Sequence, residues 1–195
     1  MKICEKELGY LIGFFIGDGY SNYNKNDRHY NVEFYFNSVR DKTIINFVID
    51  LLHRLGLNPF RQKDKRYNSI KIKVSSKEFF IFIREIAGES VYFNRLTNFS
   101  KKYKLGIISG FIDADGYVRK GSICLSQKDK ENLIMIKNFC RDLDVPIGKF
   151  YWRKNWKSKN GIWILRISTR FKYLPNNSYK IKRTYSGVRP ITIAS

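Results

Sequence analysis

Leu8-Gly-Tyr-Leu-Ile-Gly-Phe-Phe-Ile-Gly-Asp-Gly-Tyr20 is repeated as Leu105-Gly-Ile-Ile-Ser-Gly-Phe-Ile-Asp-Ala-Asp-Gly-Tyr117, an offset of 97 positions (115 − 18). A repeat of this kind dictates two similar halves before any single element is assigned. In the first copy Leu8, Leu11, Ile12 and Phe15 form one apolar helical stripe, and Tyr10, Gly13, Phe14 and Gly17 form a second. The second copy puts Leu105, Ile108, Ser109 and Ile112 on one stripe and Ile107, Gly110, Phe111 and Ala114 on the other. A helix with two buried faces is enclosed on most sides. Gly13 with Gly17, and Gly110 with Ala114, leave room for two helix backbones to touch, although glycine inside a helix costs about 1 kcal/mol relative to alanine. The expected arrangement is a pair of motif helices packed together where the halves meet.

The likeness continues outward from these segments. Asn37–Lys42 is echoed by Leu125–Lys130, and each leads into a helical pattern. The first carries Ile44, Ile45, Val48, Leu51, Leu52 and Leu55 and stops at Gly56; the second carries Leu133, Ile136, Phe139, Cys140 and Leu143. Ile70–Ser75 matches Trp163–Ser168. Alternation predicts a strand with Tyr30, Val32, Phe34 and Phe36 on one face and Asn31, Glu33, Tyr35 and Asn37 on the other. Ile70, Ile72 and Val74 alternate with Lys71 and Lys73 in the same way, and a helix over 77–87 closes the first half. The fold class is α+β. The halves span 1–93 and 105–195, joined by a polar, basic connection at 94–104. Pro175 interrupts the place where the second half should close with a helix, and 176–195 carries no readable pattern.

Bulk composition narrows the partners. The 195 residues are 43% hydrophobic, enough for a real core, and 37 Lys plus Arg against 17 Asp plus Glu give a formal charge of +20. The basic residues alternate with Tyr, Asn and Gln in strand-like segments, which favours nucleic acid over a membrane surface. The apolar run Leu8–Ile16 is far too short to span a bilayer and lacks a signal-peptide cleavage pattern, so an intracellular, non-secreted protein is expected. Cys4, Cys124 and Cys140 have no paired spacing, and His29 and His53 are the only histidines. Structural zinc and histidine-based catalysis lose their ligands, and the cysteines read as small core residues in a reducing compartment.

Both motif copies end in Asp-Gly, with Gly19 and Gly116 placed to stop the helix in a left-handed conformation. A carboxylate at a helix C-terminus faces the negative end of the helix dipole. If the helices pack side by side, Asp18 and Asp115 meet and the penalties add, which calls for a cation. Two carboxylates with helix-end carbonyls suit Mg²⁺, with Mn²⁺ as a substitute, and such an ion serves phosphodiester hydrolysis.

Leu11-Ile-Gly-Phe-Phe-Ile-Gly-Asp-Gly19 and Ile108-Ser-Gly-Phe-Ile-Asp-Ala-Asp-Gly116 resemble the LAGLIDADG motif, and the chain resembles a single-chain, two-motif LAGLIDADG homing endonuclease over nearly its whole length. The resemblance implies two αββαββα halves related by a pseudo-twofold axis, a motif-helix interface, and saddle-shaped antiparallel sheets lying along the major groove. It also implies cleavage across the minor groove with short 3′ overhangs, in support of intron or intein mobility. Asp18 and Asp115 are the implied catalytic metal ligands, with the carbonyls of Gly17 and Ala114. The implied basic residues at the strand ends are Arg40 and Lys128, beside Val39 and Gln127. Arg for the usual Lys, and Val opposite Gln, depart from a symmetric pattern.

The strand faces supply DNA-contact candidates: Glu33, Tyr35, Arg61, Lys63, Lys71 and Lys73 in the first half, and Lys149, Tyr151, Arg153 and Arg166 in the second. Loop candidates are Asn22, Asn24, Lys25 and Arg28, then Arg119 and Lys120. Two unlike halves predict a long asymmetric double-stranded target and a functional monomer. A splicing maturase bound to its host intron RNA, and a DNA-binding module without catalysis, are the other function classes. Loss of the acids would mark the last, and both are present.

Overall fold

A computed structural model describes residues 3–25, 28–64, 68–87, 99–119, 121–154, 161–168 and 178–181. The first half runs α1 (Glu5–Asp18), β1 (Gly19–Asn24), β2 (His29–Asn37), α2 (Lys42–Arg54), β3 (Phe60–Asp64), β4 (Ser69–Ser75) and α3 (Lys77–Ala87). The second runs α4 (Lys101–Asp115), β5 (Gly116–Arg119), β6 (Ser122–Gln127), α5 (Lys130–Asp142), β7 (Tyr151–Arg153) and β8 (Ile162–Ser168). Each half holds a four-stranded antiparallel sheet, ordered β1-β2-β4-β3 and β5-β6-β8-β7, so the repeat extends to the topology. The architecture is α+β with two pseudo-symmetric halves.

Both motif helices start with strong local signals. Glu5 and Glu7 lie in the first turn of α1, where negative charge suits the dipole, and Glu7 accepts the Cys4 N–H at 3.0 Å. Ser100 caps α4 by accepting the Tyr103 N–H at 3.2 Å, and its hydroxyl donates to Glu5 at 2.6 Å, tying the two helix starts together. Residues 101–104, read from the sequence as belonging to the connection, are the first turn of α4. Residues 88–98 lie outside the described residues.

The helix pair is held by backbone contact. A Cβ on Gly9 would strike the Tyr103 carbonyl, one on Gly13 the Ile107 carbonyl, one on Gly106 the Lys6 carbonyl, and one on Gly110 the Tyr10 carbonyl. The spacing anticipated Gly13 and Gly110; Gly9 and Gly106, which face each other one turn earlier, extend the contact. Around this seam Leu11, Ile12, Phe14, Ile107, Ile108 and Phe111 are fully buried and join both sheets' inner faces in one core. Phe14 stacks on Phe36 with ring centroids 4.8 Å apart, which locks α1 to β2.

Each motif helix is also clamped to the second helix of its own half, with opposite polarity. Glu7 of α1 takes Arg54 at the end of α2 at 2.7 Å. Its repeat equivalent, Lys104 of α4, takes Asp142 at the end of α5 at 2.6 Å. Exchanging the partners would set Glu7 against Asp142 and Lys104 against Arg54, so the sign inversion favours each helix pairing within its own half.

Three expectations need correction. Gly19 (φ −102°) and Gly116 (φ −79°) are extended, not left-handed, because the chain passes directly from helix into β1 and β5. Glycine is required there for room: a Cβ would collide with the Phe15 carbonyl and ring, or with Ile112 O, Cα and C. Glu33, chosen as a DNA-contact candidate on a solvent face, is 8% exposed, enclosed by Lys71 and Tyr35 on the same sheet. The third concerns Arg61 and Lys63, which pair with Ile72 and Ile70. Directly paired residues project to the same side of a sheet, so both basic residues lie on the helix-covered face of the exposed strand β3, opposite Lys71 and Lys73.

Gly110→Ala should cost at least about 2 kcal/mol in urea denaturation, because the added methyl would have to push the helix backbones apart. Gly148→Ala, whose new carbon meets only ordinary contacts, should cost under about 0.5 kcal/mol. Equal effects would mean that the helix pair is loosely seated. Glu7, held down to about 2 chiefly by its hydrogen bonds from Arg54, supplies stability that is present above pH 4.5 and lost as pH falls through about 2. After solvent screening this amounts to about 1–2 kcal/mol, and Glu7→Gln should flatten that region of the acid-unfolding curve.

Candidate active site

Where α1 and α4 end, Gly17 faces the Ala114 side chain so closely that no Cβ fits on it. The next residue along α1 is Asp18 and the next along α4 is Asp115, each half-buried at the last position of its helix. Neither last turn contains a basic residue to offset the dipole. Burial raises the Asp115 carboxyl to about 7, with the Asp18 charge adding and Lys180 opposing. Asp18 is raised by burial too, with Lys180 opposing and Asp41 adding. The seam therefore brings the two aspartates of the repeat into one electrostatic unit.

Gln127, at the end of β6, donates its side-chain amide to Asp115. Its counterpart by position, Val39, is 62% exposed and has no such group to offer, so the two acids are held differently. In the first half the equivalent stretch is a tight turn bonded to itself. Asn37 Oδ1 accepts the N–H groups of Val39 and Arg40 at 3.1 and 2.9 Å, and Asp41 accepts the Asn37 N–H at 2.8 Å. This turn sets Arg40 and Asp41 on the wall of a cavity of about 550 Å³, whose lining also includes Asp18, Tyr35, Ala114, Gly116 and Lys180. Lys128 is exposed and does not line that cavity.

Lys180 lies in the segment the sequence left unread. Its Nζ donates to the carbonyls of Ala114 at 2.7 Å and Gly116 at 3.1 Å, on either side of Asp115. Burial lowers the ammonium below the usual lysine value, and Asp41, Asp113, Asp18 and Asp115 oppose that. Nothing in the repeat pointed to Lys180. Asp113 did carry a signal: it stands where the first copy has Ile16 (113 − 97), and an acid on an enclosed helix needs partners. It is 1% exposed and receives hydrogen bonds from Tyr10, Ser178 and the 179–180 backbone.

Among the described residues no cluster of three His, Cys, Asp or Glu side chains is poised to hold a metal. Two hard carboxylates next to helix-end carbonyls fit a divalent ion that completes its shell with water or phosphate, as Mg²⁺ does.

The outer sheet faces hold most of the remaining candidates. In the first half Asn22, Glu33, Lys71 and Lys73 share a face by register, with Asn24 and Tyr35 on it as well. Glu33 is committed there to Lys71 at 2.9 Å and to the Tyr35 hydroxyl at 2.6 Å, so it orders the sheet surface. Lys25 and Arg28 are exposed beside the β1–β2 turn, with Arg28 at φ +52°. In the second half Arg119, Tyr151, Arg153 and Arg166 share the outer face, and Arg166 lies over the Tyr151 ring at 5.1 Å. Lys149 is exposed just before β7, and Lys120 lies outside the described residues. Tyr20 and Tyr117, equivalent in the repeat and 54% and 62% exposed, occupy the same outer faces and were missed because they fall at the ends of the motif segments.

Comparison with known proteins extends the picture. The chain matches the family described as LAGLIDADG-like domain over residues 5–87 and 102–172. It is 32% identical over 143 residues to an uncharacterized protein of Methanocaldococcus jannaschii, covering 71% of this chain and 49% of that one, so the chain spans about half the length of that curated relative. Among solved structures, I-DmoI in complex with DNA and Ca superposes with a TM-score of 0.65 at 21% identity, covering 85% of this chain and 84% of that one. An I-DmoI variant with its target DNA and Mn gives 0.67 at 19%, covering 97% and 98%. The N-terminal LAGLIDADG domain of DUF199/WhiA gives 0.56 at 14%, covering 95% and 83%. At these identities the likeness is one of fold.

The raised carboxyl makes a pH prediction for metal-free protein. A carboxyl with a folded value of about 7 against 3.8 unfolded stabilises fully below pH 3.8, and that contribution is lost as pH rises through about 7. Metal-free protein should therefore lose melting temperature between about pH 4 and 7, and Asp115→Asn should reduce that slope. A slope unchanged by the substitution would show that Asp115 is solvated and uncoupled from Asp18.

Proposed function

The chain belongs to the LAGLIDADG-like domain family, and from that premise we propose that it is a divalent-metal-dependent endonuclease that cuts both strands of a long, asymmetric double-stranded DNA target. The observation that carries the reading is the meeting of Asp18 and Asp115 at the ends of two touching helices, between two sheets whose outer faces carry Lys, Arg, Tyr and Asn. I-DmoI, which shares the fold, has been captured with DNA and Ca.

In this reading Asp18 and Asp115, with the carbonyls of Gly17 and Ala114, hold Mg²⁺ or its substitute Mn²⁺. A divalent ion held there would supply Lewis-acid chemistry, lowering the pKa of a bound water and offsetting charge on the leaving oxygen of the phosphodiester. Gln127 orients the Asp115 carboxylate. Arg40, fixed at the cavity wall by the Asn37 turn, is placed to offset phosphate charge as it builds up during attack. Lys128, away from the cavity, fits a backbone-phosphate contact. Tyr35, Lys73, Arg153 and Arg166 lie on the faces that would run along the major groove, and Tyr20 and Tyr117 add stacking or hydroxyl contacts at the inner ends of β1 and β5. One chain contains both halves, so the proposed unit is a monomer, and the products carry short 3′ overhangs in support of intron or intein mobility.

A randomised-site plasmid library incubated with Mg²⁺ should yield linear products sharing one long site, and Asp18→Asn or Asp115→Asn should reduce cutting by at least about 100-fold. Binding to the recovered site should weaken steeply with salt. DNA binding without metal-dependent cutting would replace this reading with a binding-only role. Selective retention of intron RNA with neither DNA activity would replace it with splicing assistance.

A further inference from the structure

Asp113 is a buried carboxylate with four donors converging on it. The Tyr10 hydroxyl reaches it from α1 at 2.8 Å, the Ser178 hydroxyl at 2.6 Å, and the Tyr179 and Lys180 N–H groups at 2.8 and 2.9 Å. The last two belong to the start of the helical turn 179–181, where a negative group is favoured, and Ser178 also accepts the Ile181 N–H at 3.2 Å. The Tyr179 ring packs 5.3 Å from Phe47 of α2. The segment 178–181 is thus latched to α4 through Asp113 and packed on α2 through Tyr179, and the latch leaves little choice of position for Lys180.

From that anchor the ammonium reaches the carbonyls of Ala114 and Gly116, at 2.7 and 3.1 Å. The Ala114 carbonyl is the one that the proposed ion would use. An oxygen accepting a hydrogen bond from an ammonium at that distance leaves little room for a divalent ion in the same direction, and two cations sharing one acidic centre repel. The matched family segment ends at residue 172, so residues 178–181 lie beyond it.

We propose that Lys180 is a resident cation of the acidic centre, held there by the Asp113 latch and competing with divalent metal for the Ala114 side of the site. The inference rests on the metal-dependent reading of Asp18 and Asp115. Lys180 offsets the clustered carboxylates while no ion is bound, and divalent binding requires the ammonium to swing off the Ala114 carbonyl. Intrinsic metal affinity is weaker than the same carboxylates and carbonyls would otherwise give.

The test is calorimetric titration of the full chain with Mn²⁺, without DNA, for the wild type, Lys180→Met, Lys180→Gln, Lys180→Arg and Asp115→Asn, with circular dichroism to confirm native folding. Lys180→Met should bind Mn²⁺ at least about tenfold more tightly, Lys180→Gln similarly, and Lys180→Arg close to the wild type, because the positive charge is kept. The glutamine variant decides the matter if the methionine variant does not fold. Unchanged or weaker affinity in the neutral variants, with binding still abolished by Asp115→Asn, would overturn the role of Lys180 and leave the metal-dependent reading standing. Absence of Asp115-dependent Mn²⁺ binding in every variant, wild type included, would overturn both.

Discussion

Backbone-to-backbone contact between α1 and α4 is the constraint on which the rest of this structure depends. Gly9, Gly13, Gly106 and Gly110 give up side chains, and with them helix propensity, so that each helix lies against the other's carbonyls. That closeness makes one continuous core out of two halves. It also sets Asp18 and Asp115 near enough for one to shift the other's ionisation, and it fixes where the two sheets sit beside them. A side chain of ordinary size at any of these glycines would force the helices apart and separate the acids.

The same closeness creates an electrostatic problem at the helix ends. Two carboxylates meet two negative dipole ends with no basic residue in either last turn, and Asp41 stands nearby. The chain answers from a distant segment, bringing Lys180 onto the carbonyls around Asp115 through the buried Asp113 latch. Asp113, two residues before Asp115, thus serves as an anchor. Its full set of donors makes its burial tolerable.

The halves differ in the side chains beside the acidic pair and in the ion pairs inside each half. Gln127 holds Asp115, whereas the equivalent position is Val39. The helix clamps Glu7–Arg54 and Lys104–Asp142 keep one geometry with inverted charge. Topology and strand order, by contrast, are the same in both. The framework is symmetric and the side chains on its outer faces are not.

The repeat itself, the helix and strand periods, the small residues on the motif helices and the pair Asp18 and Asp115 were all legible in the sequence, because each is a local pattern or a comparison of the chain with itself. Register was not: which face of β3 carries Arg61 and Lys63 depends on pairing with Ile72 and Ile70, a contact no local alternation reports. The conformation of Gly19 and Gly116 was misjudged for a related reason. An Asp-Gly helix end looks like a left-handed stop, and only the strand that follows demands extended backbone. Lys180 lay wholly beyond local reading, since a lysine in an unpatterned tail acquires meaning only when Asp113, on a distant helix, captures the backbone beside it. The sequence by itself determined the two-half framework and its acidic pair, through periodicity and repetition. Tertiary structure alone decided which cation meets that pair and which basic residues share a face, because both follow from long-range packing.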